Sequence, residues 1–417
     1  MTWQETRMKF LCVDSGQYGL NISADEYTTS GTRLIRTSDI AASGALKAAD
    51  TGVYIDAQPG PRHQLHRGDI LLSRSGTLGR SFLVPAEANG QTFAGFLIRF
   101  RPAHYTNPRF LHYATQSKMF QGIVHSEAVS STIQNFNAER YANVPMRAPA
   151  ADVQRRIADF LDGETARTDH LHARVARFSE LLNERQASLL ARCFTADDDH
   201  HTKRAVTVPL RRIIERWIDY RGATPEKTAS GIPLVTARNI REGKIDLAAS
   251  REYIAEDAYK VWMRRGLPMH GDVLLTTEAP LGQVARIFDS GVALAQRIIL
   301  LRPDPEQCST EWLYWYLRSP QGQAELALRA TGSTAVGIKA DRLRSVPIPL
   351  LDTKDIQERL SDLRSHVSQV ERCKGELTRQ SNLLAERRQA LITAAVTGQF
   401  DVSTASGRNV TDGVPTS

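Results

Sequence analysis

The chain has 417 residues, 41% of them hydrophobic and 24% charged, a balance that suits a soluble chain of several globular domains. Its formal net charge of +7 favours a polyanionic partner, met by local basic faces rather than by a basic tail. No run approaches the roughly 18 apolar residues of a membrane span, and Met1 to Cys12 lack the apolar core of a signal peptide. A cytoplasmic chain with no membrane partner is expected. Cys12, Cys193, Cys308 and Cys373 form no CxxC pair and no metal-ligand spacing with histidine, which predicts reduced, unpaired thiols.

Residues 1–150 read as an α+β domain with an antiparallel or mixed sheet. Short β-like runs at 69–73 and 95–100 are bounded by Gly and Pro, and one aromatic-rich helix covers 108–121. Residues 151–196 read as a coiled-coil helix. No proline falls in them, and Ile157, Leu161, Leu171, Val175, Phe178, Leu182 and Leu189 form its seam, with Glu164 and Thr168 as polar seam positions. Asp152 is its expected N-cap. The run from Asp197 to His201 reads as a polar linker rather than a metal grip.

Residues 205–351 read as a second α+β domain, with β-like runs at 272–276 and 297–301 and a helix at 309–330. Residues 352–398 read as a second coiled-coil helix, N-capped by Thr353. Its seam is Ile356, Leu360, Leu363, Val367, Val370, Leu377, Leu384 and Leu391, interrupted by Lys374 and Ser381. Gly163 and Gly375 sit inside the helices and weaken each by about 1 kcal/mol relative to Ala. Residues 403–417, rich in Ser, Thr, Gly and Asn, read as a disordered tail.

The two halves match each other in order, at an offset of about 200 residues. Gly68-Asp69-Ile70-Leu71-Leu72 recurs as Gly271-Asp272-Val273-Leu274-Leu275, and Leu78-Gly79 as Leu281-Gly282. Arg101-Pro102 recurs as Arg302-Pro303, Phe110-Leu111 as Trp312-Leu313, and Ser131-Thr132 as Ser333-Thr334. Val144-Pro145 recurs as Val346-Pro347, and Leu181-Leu182 as Leu383-Leu384. A narrow apolar seam needs a partner helix. The two rods, about 60 Å each at roughly 1.5 Å per residue, are expected to pair antiparallel and hold the domains apart about a pseudo-twofold axis. Packing of each helix on its own domain is the alternative, and the rod length argues against it for most of the rod.

Catalytic motifs are missing. There is no phosphate-binding loop, no dinucleotide fingerprint and no nucleophile elbow. Asn107-Pro108-Arg109-Phe110 reads as a turn and helix cap rather than a methyltransferase motif, and Pro303-Asp304-Pro305-Glu306 as a solvated turn rather than a nuclease acidic pair. No catalytic residue, metal ligand or bound cofactor is expected in this chain. What remains is a set of polar loops in matching positions. Arg36, Thr37, Ser38, Ser73, Arg74, Ser75, Thr77, Arg80, Asn135 and Asn137 are the first half's candidates for DNA contact. Arg238, Asn239, Thr276, Thr277, Glu278, Gln283, Arg297 and Lys339 are the second half's. Arg74 and Arg238 are the preferred pair. The framework recurs while the loop chemistry diverges, as two different half-sites require.

The stretch from Asp152 to Asp162, continued by Glu164 to Asp169, resembles the opening of the central helix in specificity subunits of type I restriction-modification enzymes. Leu267 to Gly282 is similar to part of their target recognition domains, and Ser131 to Asn137 to the segment that closes such a domain. The resemblance implies two target recognition domains separated by two antiparallel conserved helices. It implies a non-catalytic subunit that binds double-stranded DNA and docks two methyltransferase subunits, which use S-adenosylmethionine to methylate adenine. Restriction and translocation subunits, using ATP and Mg²⁺, are implied as further partners. The first half has Arg74-Ser75-Gly76-Thr77 where the second has Thr277-Glu278-Ala279-Pro280, so no shared base contact carries across there. Two other classes stay open at this point: a self-contained nuclease or methyltransferase, and a coiled-coil adaptor for DNA or protein without restriction activity.

Overall fold

A computed structural model describes residues 3–41, 44–56, 58–129, 135–195, 205–220, 224–332 and 337–402. The linker run Asp197–His201, the repeated Ser131-Thr132 and Ser333-Thr334, and the tail 403–417 lie outside these. The chain forms two compact units, one of Met1–Ala176 with Thr378–Ser417 and one of Arg177–Leu377. Two long helices, Ala151–Phe194 and Thr353–Thr397, each contribute to both. No described helix is long and apolar enough to cross a membrane.

In the first unit a four-stranded antiparallel sheet runs in the order Gln17–Tyr18, Leu97–Phe100, Ile70–Ser73, Ser81–Leu83. A three-stranded sheet pairs Thr32–Ile35 antiparallel to Val53–Ile55 and parallel to Thr92–Phe93. The second unit repeats the four-stranded order with Ile214–Asp219, Ile298–Pro303, Val273–Thr276 and Val284–Arg286. The central strands read as unbroken apolar runs because both faces are covered. A strand turns successive side chains to opposite faces. Ile70 and Leu72 therefore enter one core while Leu71 enters another. Val273 and Leu275 part from Leu274 in the same way.

The repeated Gly-Asp and Arg-Pro pairs are one device. Asp69, 1% exposed, accepts from Arg101 Nε at 2.8 Å and Nη2 at 2.9 Å. Asp272 accepts from Arg302 Nε and Nη2 at 2.7 Å each. The glycine before each aspartate has a positive φ, +92° at Gly68 and +94° at Gly271, where L side chains are strained.

The single helix expected after each sheet is two helices. Pro108–Gln116 and Lys118–Val129 break at Ser117, and Thr310–Arg318 and Pro320–Arg329 break at Ser319. Each serine has an extended backbone, and its hydroxyl accepts an N–H of the next helix, from Phe120 or from Gly322. Helix-capping serines outweigh the continuous apolar pattern.

Within each unit the two long helices run antiparallel. In the first, Asp169 meets Arg388 and His172 meets Ser381. In the second, Gln186 accepts from Lys374 at 2.6 Å and the Cys193 carbonyl from Arg359 at 2.8 Å. The second helix follows its expected seam. The first departs from it: Leu171 and Phe178 are 38% and 50% exposed, while Thr165 and Gln186, outside the expected seam, are buried along with the expected Thr168. Stepping by four and three from Leu161 reaches 165, 168, 172, 175, 179, 182 and 186. The apolar residues at 171 and 178 fall one position off that line. Thr165 and Thr168 satisfy their hydroxyls on the carbonyls of Leu161 and Glu164, so burial leaves nothing unpaired.

The helix ends pack on the domains, while the rest of each rod pairs with the other helix. Ile157, Leu161, Leu391 and Ala395 join the core of the first unit, and Cys193, Ile356 and Leu363 that of the second. The caps differ too. Asp352, not Thr353, accepts from Asp355 N. Asp152 lies inside its helix and pairs with Arg156, and the Gln154 side chain closes that terminus on the Pro149 carbonyl.

Gly163 and Gly375 both lie in helix with open space where a Cβ would stand. Gly163→Ala and Gly375→Ala should each stabilise the protein by about 1 kcal/mol. Thermal unfolding checks this, and an unchanged or lower midpoint contradicts it.

Candidate nucleic-acid interface

The central strand of each sheet ends in a turn built by its own last hydroxyl. Ser73 Oγ donates to the Thr77 carbonyl and accepts from Arg80 N at 3.0 Å. Thr276 Oγ1 donates to the Pro280 carbonyl and accepts from Gln283 N at 2.9 Å. Both residues are fully buried. Inside each turn a glycine sits against a glutamine: Gln121 Nε2 donates to the Gly79 carbonyl and Gln323 Nε2 to the Gly282 carbonyl, at 2.9 Å each. A Cβ on Gly79 would meet Gln121 Oε1 at 2.5 Å. In the first unit Tyr141 completes the turn, its hydroxyl accepting from Gly79 N and donating to the Ser73 carbonyl.

Several residues proposed from sequence as DNA contacts are therefore turn-builders. Ser73 and Thr276 use their hydroxyls internally. Thr277 is buried, its N–H and hydroxyl both directed to the Arg297 carbonyl. Asn239 is fully buried and spends its amide on Thr236 N and the carbonyls of Asp246 and Ser250. These four offer no free polar group to a ligand. Asn137 caps the helix Ala138–Asn143 by accepting from Arg140 N. Arg80 is half-buried and donates to the Ile40 carbonyl.

The remaining candidates lie at the surface. Arg74 is half-buried over the Tyr18 ring, 5.1 Å from its centroid, with Nε 3.3 Å from Asn135 Oδ1. Ser75 is half-buried and Thr77 exposed. Arg36, Thr37 and Ser38 line one cavity of about 490 Å³ together with Asn21, Tyr27 and Phe96. Arg36 is held there by Asp39 at 2.9 Å and stacks on Tyr27. In the second unit Arg238, Glu278 and Lys339 are exposed, Gln283 is half-buried, and Arg297 pairs with Glu278 at 3.0 Å. Tyr18, Asn21 and Phe96 escaped the sequence reading. Phe96 falls inside the apolar run expected as a strand at 95–100, although Gly95 before it marks the loop.

A second cavity of about 550 Å³ in the first unit is lined by Thr77, Arg80, Gln121, His125 and Arg388 among others. Below it lies a chain of hydrogen bonds. Arg388 donates to Gln116 Oε1, and Gln116 Nε2 donates to His112 Nε2 at 2.6 Å. His112 Nδ1 therefore carries the hydrogen and donates to Ser81 Oγ at 3.0 Å. Burial, reinforced by Arg388, brings the His112 imidazole down to about 4.

The four cysteines are free thiols, three of them buried. Burial pushes Cys193 up to about 11 and Cys308 up to about 12, far from a reactive thiolate. No cluster of metal-ligating side chains occurs among the described residues. Asn107 caps the helix Pro108–Gln116, and Asp304 closes a turn on Glu306 N, so neither motif first weighed as catalytic forms a site.

Two measurements test these assignments. Tyr141→Phe leaves the Ser73 carbonyl and the Gly79 N–H without their shared partner, and should cost about 1–3 kcal/mol in unfolding free energy; no loss contradicts it. Between pH about 6.5 and 4 the unfolded chain binds a proton at residue 112 that the folded chain does not. Stability from this group is full above pH 6.5 and falls as pH drops toward 4. His112→Gln should flatten the decline in thermal midpoint across that window, and parallel declines contradict the assignment.

Residues 48–175 match a family model described as type I restriction modification DNA specificity domain. Among solved structures, a chain from work on complex assembly and conformational transition of the type I R-M system is similar at 17% identity with a TM-score of 0.68. That match covers 95% of this chain and 98% of the other. The HsdS subunit from Thermoanaerobacter tengcongensis is similar at 17% identity, covering 95% and 97%, with a TM-score of 0.46. The type I restriction-modification S subunit from M. genitalium is similar at 13% identity, covering 95% and 96%, with a TM-score of 0.40. No curated protein matches. At such identities the likeness to solved chains is one of fold.

Proposed function

We propose that the chain is the sequence-reading subunit of a type I restriction-modification assembly, and that its two domains read two different half-sites of one bipartite DNA target. One observation carries this reading: a single turn framework is built twice, with the same internal hydrogen bonds and different exposed side chains. Around that framework the first unit offers Arg74, Asn135 and Ser38, and the second offers Glu278, Arg297 and Lys339. Arginine, amide and carboxylate groups are those that read base edges.

Catalysis is then external to this chain. Two methyltransferase subunits supply S-adenosylmethionine chemistry, and a restriction and translocation subunit supplies ATP and Mg²⁺ chemistry. The repeat provides two docking surfaces for one kind of methyltransferase subunit, about a pseudo-twofold axis. The subunit works in the cytoplasm, where its DNA is. The unread spacer between half-sites tracks the length of the helices, so removing one heptad from both should shorten it, and removal from one alone should break their pairing.

The purified chain with DNA, Mg²⁺ and S-adenosylmethionine should show no turnover, and adding its methyltransferase partner should give site-specific methylation. Turnover by the chain alone contradicts the reading. In that assembly Arg74→Ala should relax specificity at one base position, at a cost of about 1–3 kcal/mol. A uniform loss over all sequences would instead make Arg74 a phosphate contact.

A further inference from the structure

The turn framework fixes one position that the two units fill with opposite chemistry. In the first unit Arg74 N donates to the Phe96 carbonyl and Phe136 N to the Arg74 carbonyl, at 3.0 Å each. In the second unit Thr277 N donates to the Arg297 carbonyl and Ile338 N to the Thr277 carbonyl, again at 3.0 Å each. Phe96 and Arg297 are thus the same residue of the framework, each directly preceding the strand that pairs with the central one.

Neither is there for packing. Phe96 is 64% exposed, an unusual place for a large aromatic ring, and it lines the cavity shared by Asn21, Arg36 and Ser38. The carbonyl that holds it in the framework belongs to a loop pinned from behind, where Gly95 N bonds the Leu20 carbonyl at 2.8 Å. Arg297 has a backbone φ of +74°, a conformation that a non-glycine residue holds only at a cost. Its guanidinium contacts Glu278 through Nε at 3.0 Å and has no other side-chain partner among the described residues. One carboxylate at Nε orients the fork and leaves both Nη groups for a bidentate acceptor.

We propose that this framework position determines specificity in both half-sites: Arg297 reads a guanine through O6 and N7, with Glu278 orienting it, and Phe96 reads a thymine methyl group. Arginine matches the paired acceptors of guanine in the major groove, and an apolar ring matches the only methyl group displayed there. The two half-sites therefore differ at equivalent positions, guanine against thymine. This inference rests on the DNA-recognition reading and goes beyond it in naming the base each residue selects.

The test uses the full chain assembled with its methyltransferase partner, and sequences the sites methylated in a randomised DNA pool. Arg297→Ala should lower the preference for guanine at one position of one half-site by about 5- to 150-fold, and leave the other half-site unchanged. Phe96→Ala should do the same to thymine in the other half-site, Phe96→Leu should keep most of it, and Phe96→Arg should select guanine there. An unchanged motif in Arg297→Ala and Phe96→Ala overturns the inference and leaves the DNA-recognition reading intact. Loss spread evenly over all positions also overturns it, because it marks a phosphate contact. If the unsubstituted assembly selects no sequence at all, the DNA-recognition reading fails and the inference with it.

Discussion

A strand buried on both faces cannot slip by one residue without sending every side chain into the wrong core, and the proposed recognition surface hangs from two such strands. Ile70–Ser73 and Val273–Thr276 are pinned at both ends. At the start, a buried aspartate grips an arginine at the end of the neighbouring strand, Asp69 with Arg101 just past it and Asp272 with Arg302. At the end, the last hydroxyl, Ser73 or Thr276, folds the following turn back on itself. The exposed residues beyond that turn inherit their position from the strand. They can change in chemistry without disturbing the core, which is the property a sequence reader needs.

Much of this framework was legible in the sequence because it is written twice. The Gly-Asp-aliphatic run and the Arg-Pro pair recur together, since one bidentate ion pair requires both. What the sequence hid were the places where a polar residue does a buried job. Ser73, Thr276, Thr277 and Asn239 looked like free hydrogen-bonding groups, but the fold closes them on backbone atoms. Thr165 and Gln186, outside the expected seam, are part of it beside the expected Thr168, while Leu171 and Phe178 looked like the seam and are exposed. Local hydrogen bonds and the partner helix decide such positions, and neither is visible from one strand of sequence.

The polar seam has its own logic. Lys374 meets Gln186, and Arg388 meets Asp169 and Gln116. A seam of leucine alone tolerates several registers, whereas polar partners at fixed positions favour one. In the first unit the same Arg388 reaches through Gln116 to His112, which ties the coiled coil to the sheet that carries the turn. The turn surface and the long helices are thereby one bonded structure within that unit.

The central claim is that one framework carries two unlike readers. The most direct measurement selects bound sequences from a random DNA pool with the full chain and its methyltransferase partner. The account predicts a motif in two separated parts that are not inverted copies of one another, with unselected bases between them. A single continuous palindrome would contradict it.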